Sequence, residues 1–516
     1  MKAVSGTQMR FLDQRTIREG GIPGERLMRV AGALAAGAVM EYRAALLKSD
    51  IPAGNVLILA GKGNNAGDAF VVASMLANTD CQIFLHCAVP ESELSGDALT
   101  MFKALPDKIK PRISYSLTED DLHLPYGLIV DGLLGTGFQG ELHEPIRSWC
   151  RRVNGSGHPV VSLDIPSGLN ADTGEADPDA VVADITFTMG QPKTGMLTPA
   201  GARHCGRLRV LDIGIPRKYV DELKDTVECT TEADVKAWLR REPFDIHKNT
   251  RGHLLVIGGC SQYSGAALLA GEAALRTGAG LVTCALPASA PVYSSPPKAL
   301  MVRRVPDSGS GFFTRESCET LHSLLAKSSA VVLGPGMGTE ESSLPVLSLV
   351  LGTELPVLVD ADGLNLLAAH PEWTDGIRAR VVLTPHPGEM KRLAGTFSID
   401  GTLSRMEQAR ALARKLNAVV VLKGNRTVVA DPGGDAAVNL SGCPALATAG
   451  TGDLLSGMAG AMLADGSLSL YEAARCAVFL HGWMAEIASP AGSRGWIADD
   501  FPAYIGTAIR KVTVNG

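Results

Sequence analysis

The chain has 516 residues, 46% of them hydrophobic and 20% charged, with a net charge of −6; this length suggests roughly two to four domains. The acidic balance argues against a broad electrostatic footprint for nucleic acid or an anionic membrane. Ten scattered cysteines without zinc-site spacing, no run of 18 or more apolar residues and no signal-peptide core at the N-terminus lead us to expect a soluble, cytoplasmic protein with reduced core thiols.

Residues 8–50 read as helical, because "GERLMRVAGALAAGAVMEYR" keeps its small and apolar residues largely on one side. Short β-rich runs bounded by turn residues follow: residues 55–60, 81–88, 126–134 and 159–166, then "ADITFTMG" and "GRLRVLDIGIP". Helix-length segments alternate with them, which predicts a parallel sheet covered on both faces. A charged stretch poor in strand formers then places a boundary near residue 225, giving domains 1–225 and 226–516. The strand pattern restarts at 252–259, 280–287, 330–336, 355–363, 380–389 and 418–424, so we expect two doubly wound α/β domains in tandem.

Three strand ends in the first domain carry polar, glycine-flanked loops. "AGKGNNAGDAF" is neither a dinucleotide fingerprint nor a Walker A loop, but its Asn64, Asn65 and Asp68 exceed what a plain turn needs. Asp131 closes "GLIVD" and Asp164 closes "VVSLD". Ligands of open parallel sheets sit outside the carboxyl ends of strands, so these loops should converge.

The set "GKGNNAGDAF", "VDGLLGTG" and "LDIPSGL" resembles the YjeF-type N-terminal domain, the NAD(P)H-hydrate epimerase family, over roughly residues 1–220. The resemblance implies a Rossmann-like domain that binds hydrated nicotinamide nucleotide through Asn64, Asn65, Ala66, Gly67 and Asp68 and through Gly135, Thr136, Gly137, Phe138, Gln139, Gly140 and Glu141. It implies that Asp164 works at the reacting centre and that K+ is held by Asn65, Asp131 and Ser167. The family usually reads NNGGDG where this chain has Ala66 and Ala69; at a site needing φ > 0, alanine would cost about 1 kcal/mol relative to glycine.

In the second domain, "GGCSQYSGAALLAGEAALRTGAG", "GPGMG", "LTPHPGEMKRL" and "VLKGNRTVVA" are loops with polar or glycine clusters. "DADGLN" begins like a calcium loop but lacks the further oxygen ligands, so we discard that reading. "ATAGTGD", residues 447–453, runs into an apolar helix; its Asp453 is either the N-cap or a base beside a bound anion. Together TPHPGE, LKGxxT and ATAGTGD resemble the ribokinase-like ADP/ATP-dependent NAD(P)H-hydrate dehydratases. That resemblance implies two tandem three-layer α/β/α domains, with Lys423, Gly424, Asn425, Arg426, Thr427 and Gly452 on the adenine nucleotide. Ala266, Gly336, His386 and Asp453 would face the hydrate, with Asp453 as base.

The implied ligands are NADH or NADPH hydrate, ADP or ATP as cosubstrate, K+ and Mg2+, in a homo-oligomer without nucleic-acid or membrane partners. The rival reading is a ribokinase-like kinase of a vitamin alcohol fused to a non-catalytic binding domain.

Overall fold

The computed structural model describes residues 1–514 except 53, 123–125, 240–241, 293–294, 491 and 493. The chain divides into two compact units, Met1–Cys229 and Thr230–Gly516.

In the first unit, the helical reading of 8–50 resolves into two helices, Gly6–Arg18 and Gly24–Lys48. The intervening Gly20, Gly21 and Pro23 explain the break, since glycine favours caps and proline stops one helix while tolerating the start of the next. By length and composition alone Gly24–Lys48 could cross a membrane. It is instead an amphipathic core helix: Leu27, Met28, Ala31, Ala35, Val39 and Leu46 are buried, and it packs on the helix Asn64–Leu76.

Seven strands form an all-parallel sheet in the spatial order Ile113–Ser114, Ile83–Cys87, Asn55–Ala60, Tyr126–Gly132, Val160–Leu163, Ile185–Met189, Arg207–Leu211. Val56 to Ala60 are buried without alternation because helices cover both faces. The strand order reverses between Asn55–Ala60 and Tyr126–Gly132, which opens a crevice at their carboxyl ends. Phe70, fully buried on Asn64–Leu76, meets Phe102 edge-on with centroids 5.2 Å apart. Truncating it to alanine would cost about 3–5 kcal/mol and loosen the helix that begins at the crevice.

Among the described residues, strands of the second unit run side by side in the order Ala436–Asn439, Val428–Ala430, Val419–Leu422, Arg380–Leu383, Pro356–Val359, Ala330–Leu333, His253–Ile257, Leu281–Pro287, Met301–Val305. Those from Val419–Leu422 onward are parallel, whereas Val428–Ala430 pairs antiparallel with both its neighbours. The order reverses between His253–Ile257 and Ala330–Leu333. The helix Thr451–Asp465 lies over that reversal, on His253–Ile257, Ala330–Leu333 and the helix Ser264–Thr277. Its small residues permit this close approach: the Cα of Gly457 abuts the Ala270 carbonyl, leaving no room for a Cβ.

Candidate active sites

A cavity of about 560 Å³ opens at the switch point of the first unit. Asn64, Asn65 and Asp68 line it, as do Gly135, Thr136, Gly137, Phe138 and Asp164. Ala66 and Gly67 lie buried behind them in the helix Asn64–Leu76, while Gln139, Gly140 and Glu141 are exposed outside the lining, with Glu141 paired to Arg147 at 3.5 Å. Ala66 and Ala69 are helical with negative φ, so alanine carries no backbone strain at either position.

Asp164 sits at φ +59, a conformation aspartate tolerates better than most residues and one that is concentrated at functional sites. The fully buried Lys193 donates to its Oδ1, alongside the Met189 N–H at 3.0 Å and the Thr188 hydroxyl at 3.3 Å. The Lys193 ammonium also donates to the Thr188 hydroxyl oxygen at 2.8 Å and the Met189 carbonyl at 3.2 Å. Sequence reasoning missed Lys193, although "GQPKTG" closes a strand as the other loops do. It also missed Asp13, which lines the same cavity.

Asp131 and Ser167 lie fully buried beneath this floor. The Asp131 carboxylate accepts four hydrogen bonds: Ser167 Oγ at 2.6 Å, Ser167 N–H and Ser162 Oγ at 2.9 Å, and Leu133 N–H at 3.2 Å. Burial still holds its carboxyl above the ordinary value, against the pull of those bonds. Asn65 donates from Nδ2 to the Leu134 and Leu163 carbonyls at 2.7 and 3.0 Å, and its buried Oδ1 has no hydrogen-bond partner among the described residues.

In the second unit, Gly450 is the N-cap of Thr451–Asp465 at φ +90, so Asp453 is the third helical residue and the N-cap reading falls. A left-handed cap of this kind suits glycine and leaves the helix start bare. Among the described residues the N–H groups of Thr451, Gly452 and Asp453 find no backbone acceptor, the arrangement that binds anions. Burial first, then Asp360, pushes the Asp453 carboxyl up to about 7, with Lys423 opposing. His481 donates from Nε2 to the Thr451 carbonyl at 2.9 Å and pins this turn; burial lowers its pKa to about 4, so it is a neutral donor.

Lys423 is the hub. Its ammonium donates to Asp360 Oδ1 at 2.6 Å and lies 4.0 Å from Glu389 Oε2. Burial pulls that ammonium down, but the charges of Asp360 and Glu389 outweigh it and hold it above the ordinary lysine value. A Cβ on Gly452 would stand 3.6 Å from the lysine nitrogen, so Lys423 belongs to the anion end of the site. The following turn is rigid: Arg405 donates to the carbonyls of Leu422, Lys423 and Asn425 at 3.2, 3.1 and 2.6 Å. Arg426 is buried and donates to the Leu440 carbonyl at 3.0 Å; the Thr427 hydroxyl donates to Gly424 O at 2.9 Å. Asn425 is exposed.

His386 caps the helix Pro387–Thr396, with Nδ1 accepting the Gly388 N–H at 2.9 Å while Glu389 accepts the His386 N–H at 2.7 Å. Burial, then Lys423, lowers the His386 pKa, and burial raises Glu389 to about 7. Gly336, at φ +61, packs so closely that a Cβ would stand 3.0 Å from the Ala266 Cβ, so these two expected residues are neighbours. A further cavity of about 720 Å³, lined by Arg378, Arg380, Phe397 and Lys415 among others, includes none of the expected residues.

Two parallel α/β units, each with glycine-rich loops and a buried lysine–aspartate pair, define a tandem two-site enzyme. Residues 24–195 match the family model of the YjeF-related protein N-terminus, and residues 254–505 match that of NAD(P)H-hydrate dehydratase. The bifunctional NAD(P)H-hydrate repair enzyme of Moorella thermoacetica is 34% identical over 99% of this chain and 97% of its own. That of Salinibacter ruber is 36% identical over 93% and 90%. The crystal structure of the Bacillus subtilis ADP/ATP-dependent NAD(P)H-hydrate dehydratase, co-crystallised with ATP and Mg2+, is 30% identical over 55% of this chain and 99% of that one, with a TM-score of 0.46. The chain belongs to the bifunctional NAD(P)H-hydrate repair enzyme family.

Proposed function

We propose that the first unit interconverts the R and S epimers of hydrated NADH or NADPH and that the second dehydrates the S epimer back to NAD(P)H at the expense of ADP or ATP. The observation that carries the reading is the end-to-end match to the bifunctional repair enzymes, with Asp453 held beside bare N–H donors. Asp453, poised near neutral pKa, accepts the proton of the hydrate hydroxyl as its oxygen attacks the terminal phosphate. The helix-start N–H groups and Lys423 stabilise the transferring negative charge. Hydroxide leaves poorly and phosphate leaves well: the ring nitrogen expels the phosphate, and loss of the neighbouring C–H proton restores the double bond. Magnesium would enter with the nucleotide phosphates, since among the described residues no group of three His, Cys, Asp or Glu could hold a metal.

The first unit fits a potassium ion. Asn65 Oδ1 is a buried oxygen with no donor among the described residues, and the Ser167 hydroxyl, the Asp131 charge and nearby backbone carbonyls would complete a hard-oxygen environment. The ion would tie the Asn65 loop to the Asp131 and Ser167 loops. KCl should raise the unfolding midpoint where equimolar LiCl does not, and Asn65→Leu should remove that difference; equal effects of both salts would sink the assignment. We also propose a cytoplasmic protein, which ten free cysteines support.

Purified protein incubated with mixed hydrate epimers and ADP or ATP should regenerate the absorbance of reduced nicotinamide and release inorganic phosphate. Without nucleotide it should only equilibrate the epimers. Accumulation of a stable phosphoester would instead favour the vitamin-kinase reading.

A further inference from the structure

The helix Gly6–Arg18 turns Met9, Asp13 and Ile17, four residues apart, toward the cavity that holds Asp68 and Asp164. A carboxylate between methionine and isoleucine on that stripe loses hydration without gaining packing. Among the described residues no hydrogen bond or ion pair reaches the Asp13 side chain. Burial first, then the charge of Asp164, pushes its carboxyl up to about 6, with Lys193 pulling it down. Asp68 is held well above the ordinary range by burial, Asp164 and Asp13. Arg10, Lys62 and Asp97 are the other charged groups lining the cavity, and Lys193 stands behind Asp164. Asp13 precedes residue 24, where the family-model match begins.

We propose that Asp13 is a second acid–base residue of the N-terminal reaction, working with Asp164 on the hydrated ring carbon; this rests on the epimerase reading above. Interconverting two epimers delivers one proton and removes another in each turnover, and the reverse turnover exchanges the roles. In loss and return of water, the Asp13 carboxyl protonates the ring hydroxyl. The C–O bond breaks, water leaves with that electron pair, and the ring-nitrogen lone pair forms a C=N bond. Water then adds to the opposite face, its oxygen pair making the new C–O bond while the C=N pair returns to nitrogen. The surplus proton passes to the Asp164 carboxylate, which the Lys193 ammonium and the Met189 N–H hold in place. Transfer of that proton from Asp164 to Asp13 through water resets the pair.

The test uses the full chain carrying Asp13→Asn or Asp13→Glu, with nucleotide-dependent dehydration of the S epimer as the internal control. Asp13→Asn should lower epimerisation by about 10²–10⁴-fold, leave KM within a few fold and erase the limb near pH 6 from the pH–rate profile. Asp13→Glu should recover part of the rate and keep a limb, and dehydration should be unchanged in both. An Asp13→Asn enzyme with the wild-type rate and limb overturns the proposal and leaves the epimerase reading standing. A wild-type chain that never interconverts the epimers overturns both.

Discussion

Each unit buries a lysine against an aspartate, yet the two pairs stand in different places relative to the chemistry. Lys193 is fully buried and its partner Asp164 is 16% exposed, at the cavity wall. Lys423 instead pairs with Asp360, only 2% exposed, while Asp453, in the first turn of Thr451–Asp465, has no side-chain hydrogen bond among the described residues. On the proposed mechanism the paired acid of the first unit is itself the reacting group, whereas the pair of the second unit stands behind the reacting acid and shapes its field. An acid that must shuttle protons both ways profits from a fixed orientation. An acid that must take one proton from an alcohol profits from a raised pKa.

The sharpest break of this comparison is to remove one acid at a time. Asp453→Asn should reduce dehydration by about 10²–10⁴-fold while epimerisation continues. Asp164→Ala should abolish epimerisation while the S epimer is still dehydrated. Both rates are measurable in one sample, by reduced-nicotinamide absorbance and by the R to S ratio. A folded variant that loses both activities together would end the two-site account.

A smaller effect separates the lysines. Lys423→Met leaves Asp360 charged and sealed from water, with the hydroxyls of Ser456, at 2.7 Å, and Thr384 as its remaining side-chain partners among the described residues. Stranding one member of a buried pair costs about 3–5 kcal/mol. Lys193→Met leaves Asp164 facing a cavity that admits water and keeps its Met189 and Thr188 bonds, so its cost should fall to about 1–3 kcal/mol. Urea unfolding of the full-length variants measures both, and a larger loss for Lys193→Met would reverse the proposed roles.

Why the sequence disclosed Asp164, Asp453 and Lys423 but hid Lys193 and Asp360 follows from what a linear reading can use. Asp131 and Asp164 stood out because an acid ending a buried strand beside glycine has few structural uses. Asp360 ends its strand in the same way, but "DADGLN" was weighed only as a calcium loop, so the partner of Lys423 went unseen. Lys193 reaches Asp164 across 29 positions, a pairing that no local period encodes. Asp13 carried a weak signal, an acid on the apolar stripe of an amphipathic helix, which becomes meaningful only once the cavity is known. Strand positions were legible because both faces of each sheet are covered, which writes unbroken apolar runs. The edge strands Ile113–Ser114 and Met301–Val305 escaped; the latter reads exposed, intermediate and charged along most of its length.

The smallest effect concerns stability and has the opposite sign to activity. Burial raises the Asp453 carboxyl from 3.8 to about 7, so the folded state binds its proton more tightly than the unfolded chain. Below pH 4 both states are protonated and the group contributes nothing. As pH rises from 4 to 7 the unfolded chain releases the proton and the folded chain retains it, so stability falls; above 7 the whole penalty is present. Three units at about 1.4 kcal/mol each set a ceiling of roughly 4 kcal/mol, and water reaching the half-buried carboxyl lowers that to about 1–2 kcal/mol. Asp453→Asn should therefore match the wild type in stability near pH 4 and exceed it by about 1–2 kcal/mol at pH 8, while losing its dehydratase activity. A variant that is less stable than the wild type at pH 8 would mean that the Asp453 charge is stabilised in the folded state, and the base would then have to act from a pKa far below neutrality.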